Sequence, residues 1–208
     1  MPTTRSRSRR VAPLMLACAI ACANLAHAAD PHAHHAHGVP ARGEAQVVKA
    51  AYRLPATPLV RQDGAAVSLT DEMAGARAVV VGFIYTTCTA ICPVTSQLLS
   101  QVHDRLRGTD GDVRILSVSI DPEHDTPARL REYAARFEAG PQWRHYTGTR
   151  RASIEVQKAF SAYYGDKMNH QPAIFVKTGD CATWTRFEGF PTPAKVLEAI
   201  RARDACPA

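Results

Sequence analysis

Two cysteines four positions apart, Cys88 and Cys92 in Cys-Thr-Ala-Ile-Cys-Pro, are the residues of this 208-residue chain best placed to do chemistry. Residues 78–85 before them form an unbroken apolar run, the pattern of a strand buried on both faces. After them Val94, Leu98, Val102 and Leu106 recur at helical spacing. The pair therefore sits where a central strand turns into a helix, the edge at which open α/β sheets place their sites. A helix N-terminus favours thiolate over thiol, which makes a cysteine either a nucleophile or a soft metal ligand. A spacing of four brings both sulfurs to one side of a helical turn, and Pro93 in the first turn costs no backbone hydrogen bond. A structural disulfide, or two inert core thiols, is the alternative reading of the pair.

The elements that must hold this junction follow from the apolar pattern, which contains no internal repeat. Residues 52–60 and 66–69 flank the turn signal Gln62-Asp63-Gly64 and predict an N-terminal hairpin. Residues 113–120 predict the next strand, and Thr126 with Pro127 predicts the cap and first turn of a helix through Leu130, Tyr133 and Phe137. A short strand over 143–146 precedes a helix over 153–164. Residues 172–177 and 183–187 predict a second hairpin around Thr178-Gly179-Asp180. Thr192-Pro193 then opens a last helix with Val196, Leu197 and Ile200 facing inward. Strand–helix–strand order implies a parallel, right-handed crossover, and hairpins at both ends imply mixed sheet edges. The expected fold is a single α/β sandwich domain.

The apolar fraction of 46% and charged fraction of 21% exclude a disordered, collagenous or coiled-coil chain. Net charge is +6, but four of the 25 basic residues are Arg5, Arg7, Arg9 and Arg10, leaving 21 against 19 acidic residues. No basic face remains to argue for nucleic acid. Those arginines open a leader: a basic stretch, an apolar run over 11–23, and Ala26-His27-Ala28 for a signal peptidase. The reading is a secretory signal over 1–28, cleavage near Ala28, and export to an oxidising, periplasmic or other extracytoplasmic compartment. Acylation of Cys22 as a lipoprotein is the rival, though the leucine-like residue expected three places before it is missing. Residues 29–50 read as a tether carrying His32, His34, His35 and His37, which either gather a transition metal loosely or are simply solvated. The globular domain is set at 51–206.

Gly82-Phe83-Ile84-Tyr85-Thr86-Thr87-Cys88 through Cys92-Pro93 resembles the Sco/SenC family of copper chaperones. Asp121-Pro122-Glu123-His124-Asp125-Thr126-Pro127 and Asp166-Lys167-Met168-Asn169-His170 resemble two further motifs of that family. The resemblance runs from about Tyr52 to Ile200. It implies a thioredoxin-like three-layer sandwich with a mixed central sheet. It also implies copper held by Cys88, Cys92 and His170, in the assembly of cytochrome c oxidase. Two thiolates and one imidazole suit three-coordinate Cu(I), whereas structural zinc usually takes four protein ligands. The chain departs from the family at Thr89, where many members have proline, and at Asn169, where aspartate often precedes the histidine. Both positions bear on affinity and potential.

Other residues carry open alternatives. Gln171-Pro172 before a strand resembles the cis-proline of thiol–disulfide oxidoreductases, which makes a reductase acting through Cys88 and Cys92 the rival function; a plain turn is the other reading of Pro172. Asp121 and Asp125 either hydrogen-bond the cysteine loop or organise the turn and helix start, the latter being preferred. His124 and Met168 are conceivable auxiliary copper ligands. The remaining mature-chain cysteines, Cys181 and Cys206, are expected to pair, since either other pairing would tie the cysteine loop to the C-terminal region. Three functions result: an exported copper metallochaperone serving a copper-containing oxidase subunit, a thiol–disulfide reductase acting on that subunit or another exported partner, and, as a weaker third, a redox or copper sensor signalling through the Cys88–Cys92 state.

Overall fold

The computed structural model describes residues 45–107, 112–179 and 182–202. The leader, Cys22, the histidine tract, Cys181 and Cys206 lie outside the described residues.

Strand β4 (Ala78–Ile84) is the buried centre, every residue of it inaccessible. It pairs in parallel with β5 (Val113–Ser119), which pairs in parallel with β6 (Trp143–Thr147). The crossovers are α2 (Ile91–Leu106) and α3 (Pro127–Arg136), the latter capped by Thr126, whose side chain accepts from the Arg129 N–H. On its other side β4 pairs antiparallel with β7 (Ala173–Thr178), which forms a hairpin with β8 (Thr183–Glu188). Strand β1 (Gln46–Ala51) closes that edge against β8. The opposite edge is a small hairpin of β2 (Leu59–Arg61) and β3 (Ala66–Val67), with β2 against β6. The order across the eight strands is β1-β8-β7-β4-β5-β6-β2-β3.

Side chains alternate across β4 and build two cores. Val80 joins Leu99 and Val102 of α2 with Val196 and Ile200 of α5 (Pro193–Arg201). Val79, Val81 and Phe83 join Leu69 of α1 (Leu69–Met73) and Val156 of α4 (Arg150–Ala159). On that second face Phe83 meets Phe160 and Phe175 edge-on at 5.7 and 5.9 Å, and Phe160 meets Trp184 at 5.1 Å. Each such pair adds about 0.5–1.5 kcal/mol beyond its buried area. Helix α2 lies close on the strand: a Cβ at Gly82 would stand 3.3 Å from Leu99 Cδ1. That close seating sets where the start of α2, and hence the cysteine loop, comes to rest.

Several expectations are corrected. Strand β1 occupies residues read as tether; most of its side chains are exposed, so no apolar alternation announces it, and the ladder to β8 alone makes it a strand. The N-terminal hairpin exists but is shorter than 52–60 and 66–69, and Leu69 opens α1, which Ser68 caps by accepting from Asp71 N–H. Helix α4 spans Arg150–Ala159 because Thr149 caps it, and Ser161 at φ 52° marks the reversal after its end. Val94 is exposed, so the inward face of α2 is Leu98, Leu99, Val102 and Leu106. The bond before Pro172 is trans: the chain runs extended into β7, and the Pro172 carbonyl accepts from the Gly189 N–H as a continuation of the β7–β8 ladder.

Candidate metal centre

Between Ile84 and Ile91 the chain turns from β4 into α2 and carries Cys88 and Cys92, both buried and both free thiols. The first helical residues have no side-chain cap, since Ala90 holds the N-cap position. The Cys88 sulfur takes that role, accepting the Cys92 N–H at 3.3 Å. An unsatisfied helix-end donor is thereby aimed at a sulfur, which stabilises its anion. Burial pushes the Cys88 thiol up, but the Cys92 N–H, the Cys92 thiol, the Ala90 N–H and the Tyr85 hydroxyl together hold it below the ordinary cysteine value. Cys92 goes the other way: burial drives it well up, and the neighbouring Cys88 and Asp125 charges add to this. The pair is thus one thiol biased toward thiolate at the helix start, backed by a deeper thiol that holds its proton.

Asp125 fixes the loop. Fully buried, its carboxylate accepts the Thr86 N–H at 3.2 Å, the Thr86 hydroxyl at 2.5 Å and the Ser119 hydroxyl at 2.6 Å. The preference for a turn-forming role is overturned for this residue, because Thr126 supplies the helix cap and leaves the carboxylate free for the loop. Thr86 and Ser119 were not singled out from sequence; a serine ending an apolar strand was the available sign. Asp121 is also buried and binds the Lys167 ammonium at 2.5 Å, tying this loop to the segment that carries His170. Its N–H donates to Ser119 Oγ at 3.0 Å. Ile84, Leu130 and Tyr133 wall the cysteines, with the Tyr133 hydroxyl 2.8 Å from Ser96 Oγ.

His170 follows a 3-10 turn, Lys167–Asn169, that Asp166 caps by accepting the Met168 N–H at 2.8 Å. The imidazole is buried, hydrogen-bonds the Phe83 carbonyl and leaves Nδ1 without a partner. Burial lowers its pKa to about 4 despite that hydrogen bond, so the ring is neutral at pH 7 and its unshared lone pair is available to a metal. Among the described residues no three His, Cys, Asp or Glu side chains stand close enough together to hold a metal. The fold brings Cys88 and Cys92 together and places His170 on a loop tethered near them, not yet within a common coordination sphere. Soft sulfur donors, one already biased to thiolate, and a neutral imidazole with an orphan nitrogen fit a copper ion. His124 is spoken for: Arg129 bonds its Nδ1 at 2.7 Å. Pro172 leads from this loop into β7.

The SCO1/SenC family model matches residues 44–203. The chain belongs to the SCO1/SenC family. A SCO1 protein homolog of Bacillus subtilis is 32% identical over 55% of this chain. The match spans 63% of that relative, so this chain covers less than two thirds of its length. The structure of BsSco, a member of the Sco family of cytochrome c oxidase assembly proteins in which a disulfide switch was identified, superposes with a TM-score of 0.60. It is 27% identical and the match covers 75% of this chain and 98% of that one. Bradyrhizobium japonicum ScoI, solved with copper bound, is 22% identical with a TM-score of 0.58 over 77% of this chain and 98% of its own. The fold of this SCO1/SenC protein is accordingly the thioredoxin-like one of Sco proteins.

Proposed function

We propose that this protein is an exported copper metallochaperone that holds one copper ion through Cys88, Cys92 and His170 and delivers it to the dinuclear copper site of a cytochrome c oxidase subunit. The observation that carries this reading is the donor set itself: a thiolate-biased Cys88 at an uncapped helix start, a buried Cys92 behind it, and a neutral His170 with an unpartnered Nδ1 on a loop tied to the same edge. Relatives described as oxidase assembly proteins or solved with copper support it. Cys88 supplies the first ligand as it stands. Cys92 gives up its proton as the cation arrives, since a metal inverts the electrostatics that keep that thiol neutral. His170 completes the set when the 166–171 loop moves toward the thiols. Delivery is ligand exchange, with the receiving site's donors displacing these three in turn. Export follows from the leader, with membrane attachment through Cys22 the variant of it.

The asymmetry of the two thiols supports a second reading, a dithiol reductase. Cys88 as thiolate would attack a partner disulfide and Cys92 would resolve the mixed disulfide. The two readings separate at His170, which dithiol exchange does not need. Anaerobic titration of the reduced protein with copper is expected to saturate at one ion per chain, with Cu(II) giving a thiolate charge-transfer band. His170→Ala should weaken binding and alter that band. Full affinity in His170→Ala would move the assignment to the reductase, and wild-type spectra from Cys88→Ser would remove the site altogether.

A further inference from the structure

Met168 is 74% exposed, yet its sulfur is not left to wander. The Tyr85 hydroxyl donates to Met168 Sδ at 3.8 Å, and the turn that carries Met168 is pinned by the Asp166 cap and by Lys167 on Asp121. Tyr85 is itself buried, directly follows β4 three residues before Cys88, and lies beneath Lys167 Nζ, which stands 5.7 Å from the ring centre. Cys88 shares a buried cluster with Tyr85, and its N–H donates to the Tyr85 carbonyl at 3.1 Å. Tyr85 therefore stands between a thioether facing solvent and the buried Cys88. An unbranched thioether adapts easily and is a soft donor. An exposed apolar side chain held in this way gains nothing as packing.

We propose that Met168 is a thioether ligand for Cu(I) at the mouth of the site, where Met168 Sδ and Cys88 Sγ take the ion before His170 displaces the thioether. The proposal rests on the copper reading above. No electron moves in the step: copper stays Cu(I) throughout. Met168 Sδ exchanges the Tyr85 hydrogen bond for the metal, Cys88 supplies its thiolate lone pair, and the thiolate or thioether ligands of the incoming copper carrier leave. The phenol keeps its proton throughout the step. His170, two residues along the same turn, then replaces Met168.

The test uses the reduced full chain with methyl-labelled methionine and Cu(I) as its acetonitrile complex under anaerobic conditions. The Met168 methyl signal, assigned by its absence from Met168→Leu, should shift on addition of Cu(I) to His170→Ala, where the thioether stands in for the imidazole. In that background Met168→Leu should lower Cu(I) affinity by about tenfold. In the wild-type background Met168→Leu should leave equilibrium affinity within about twofold but slow uptake from a chromogenic chelator by about tenfold. Tyr85→Phe, which frees the thioether, should slow uptake less than Met168→Leu does. An unmoved Met168 methyl in His170→Ala, or equal uptake by wild type and Met168→Leu, overturns the Met168 assignment while leaving the main site standing. Absence of Cu(I) binding by the wild type overturns the copper reading and this proposal together.

Discussion

Removing the carboxylate of Asp125 should cost more than removing either cysteine. The side chain is wholly inaccessible and accepts from one backbone N–H and two hydroxyls, all at 3.2 Å or less. Hydrogen bonds to a charged acceptor are worth about 1.5–3 kcal/mol each, but bonds that share one acceptor group are not additive. Asp125→Ala strands the Thr86 N–H and leaves a small cavity, which sets the expected loss at about 3–4 kcal/mol. Against a total stability of about 5–15 kcal/mol that is a large fraction. Asp125→Asn keeps the shape and lets both hydroxyls rotate, so about 1–2 kcal/mol is expected. Urea denaturation followed by tryptophan fluorescence reads both, as a lower midpoint at unchanged slope. Thr86→Val removes the 2.5 Å bond alone, and with Asp125→Asn it closes a double-mutant cycle whose coupling should reach about 1 kcal/mol. Additive effects in that cycle, or a loss under about 1 kcal/mol for Asp125→Ala, would falsify the claim that this carboxylate holds the loop.

Limited alkylation of the reduced protein near pH 7 should label Cys88 well before Cys92, because one thiol is held below and the other above the ordinary value; peptide mapping showing equal labelling would contradict it. His145 is fully buried with no partner on either nitrogen, and burial lowers its pKa from 6.5 to about 3. The unfolded chain therefore binds the proton that the folded one refuses. The contribution of His145 to stability is full above pH 6.5 and falls as pH drops toward 3, by about 2 kcal/mol at pH 5. His145→Phe should remove that part of the acid sensitivity, and an unchanged pH profile in denaturant melts would count against it. A disulfide between Cys181 and Cys206 is expected from sequence and, with 24 residues between them, is worth about 3 kcal/mol. Mass spectrometry of unreduced, alkylated protein that finds labels on both residues would exclude it.

Much of the site was legible before any tertiary contact was known. The strand–cysteine–helix junction announces itself because a strand buried on both faces must be apolar throughout, and Val79, Val80, Val81 and Phe83 are. The caps at Thr126 and Thr192 are local chemistry, a hydroxyl reaching an N–H three residues on, and so they are readable from order alone. What the order of residues could not settle depends on distance through space. Strand β1 exists because β8 offers it a ladder, and no apolar periodicity of its own betrays it. Asp125 becomes a clamp only once β5 and the cysteine loop bring Ser119 and Thr86 to it from six and thirty-nine residues earlier in the chain. The opposite pKa shifts of Cys88 and Cys92, identical residues four positions apart, come from depth and from which sulfur receives the helix N–H. The same holds for His170: its type and place in the chain make it a candidate ligand, while its place in this form is fixed by the Phe83 carbonyl and the Lys167 tether.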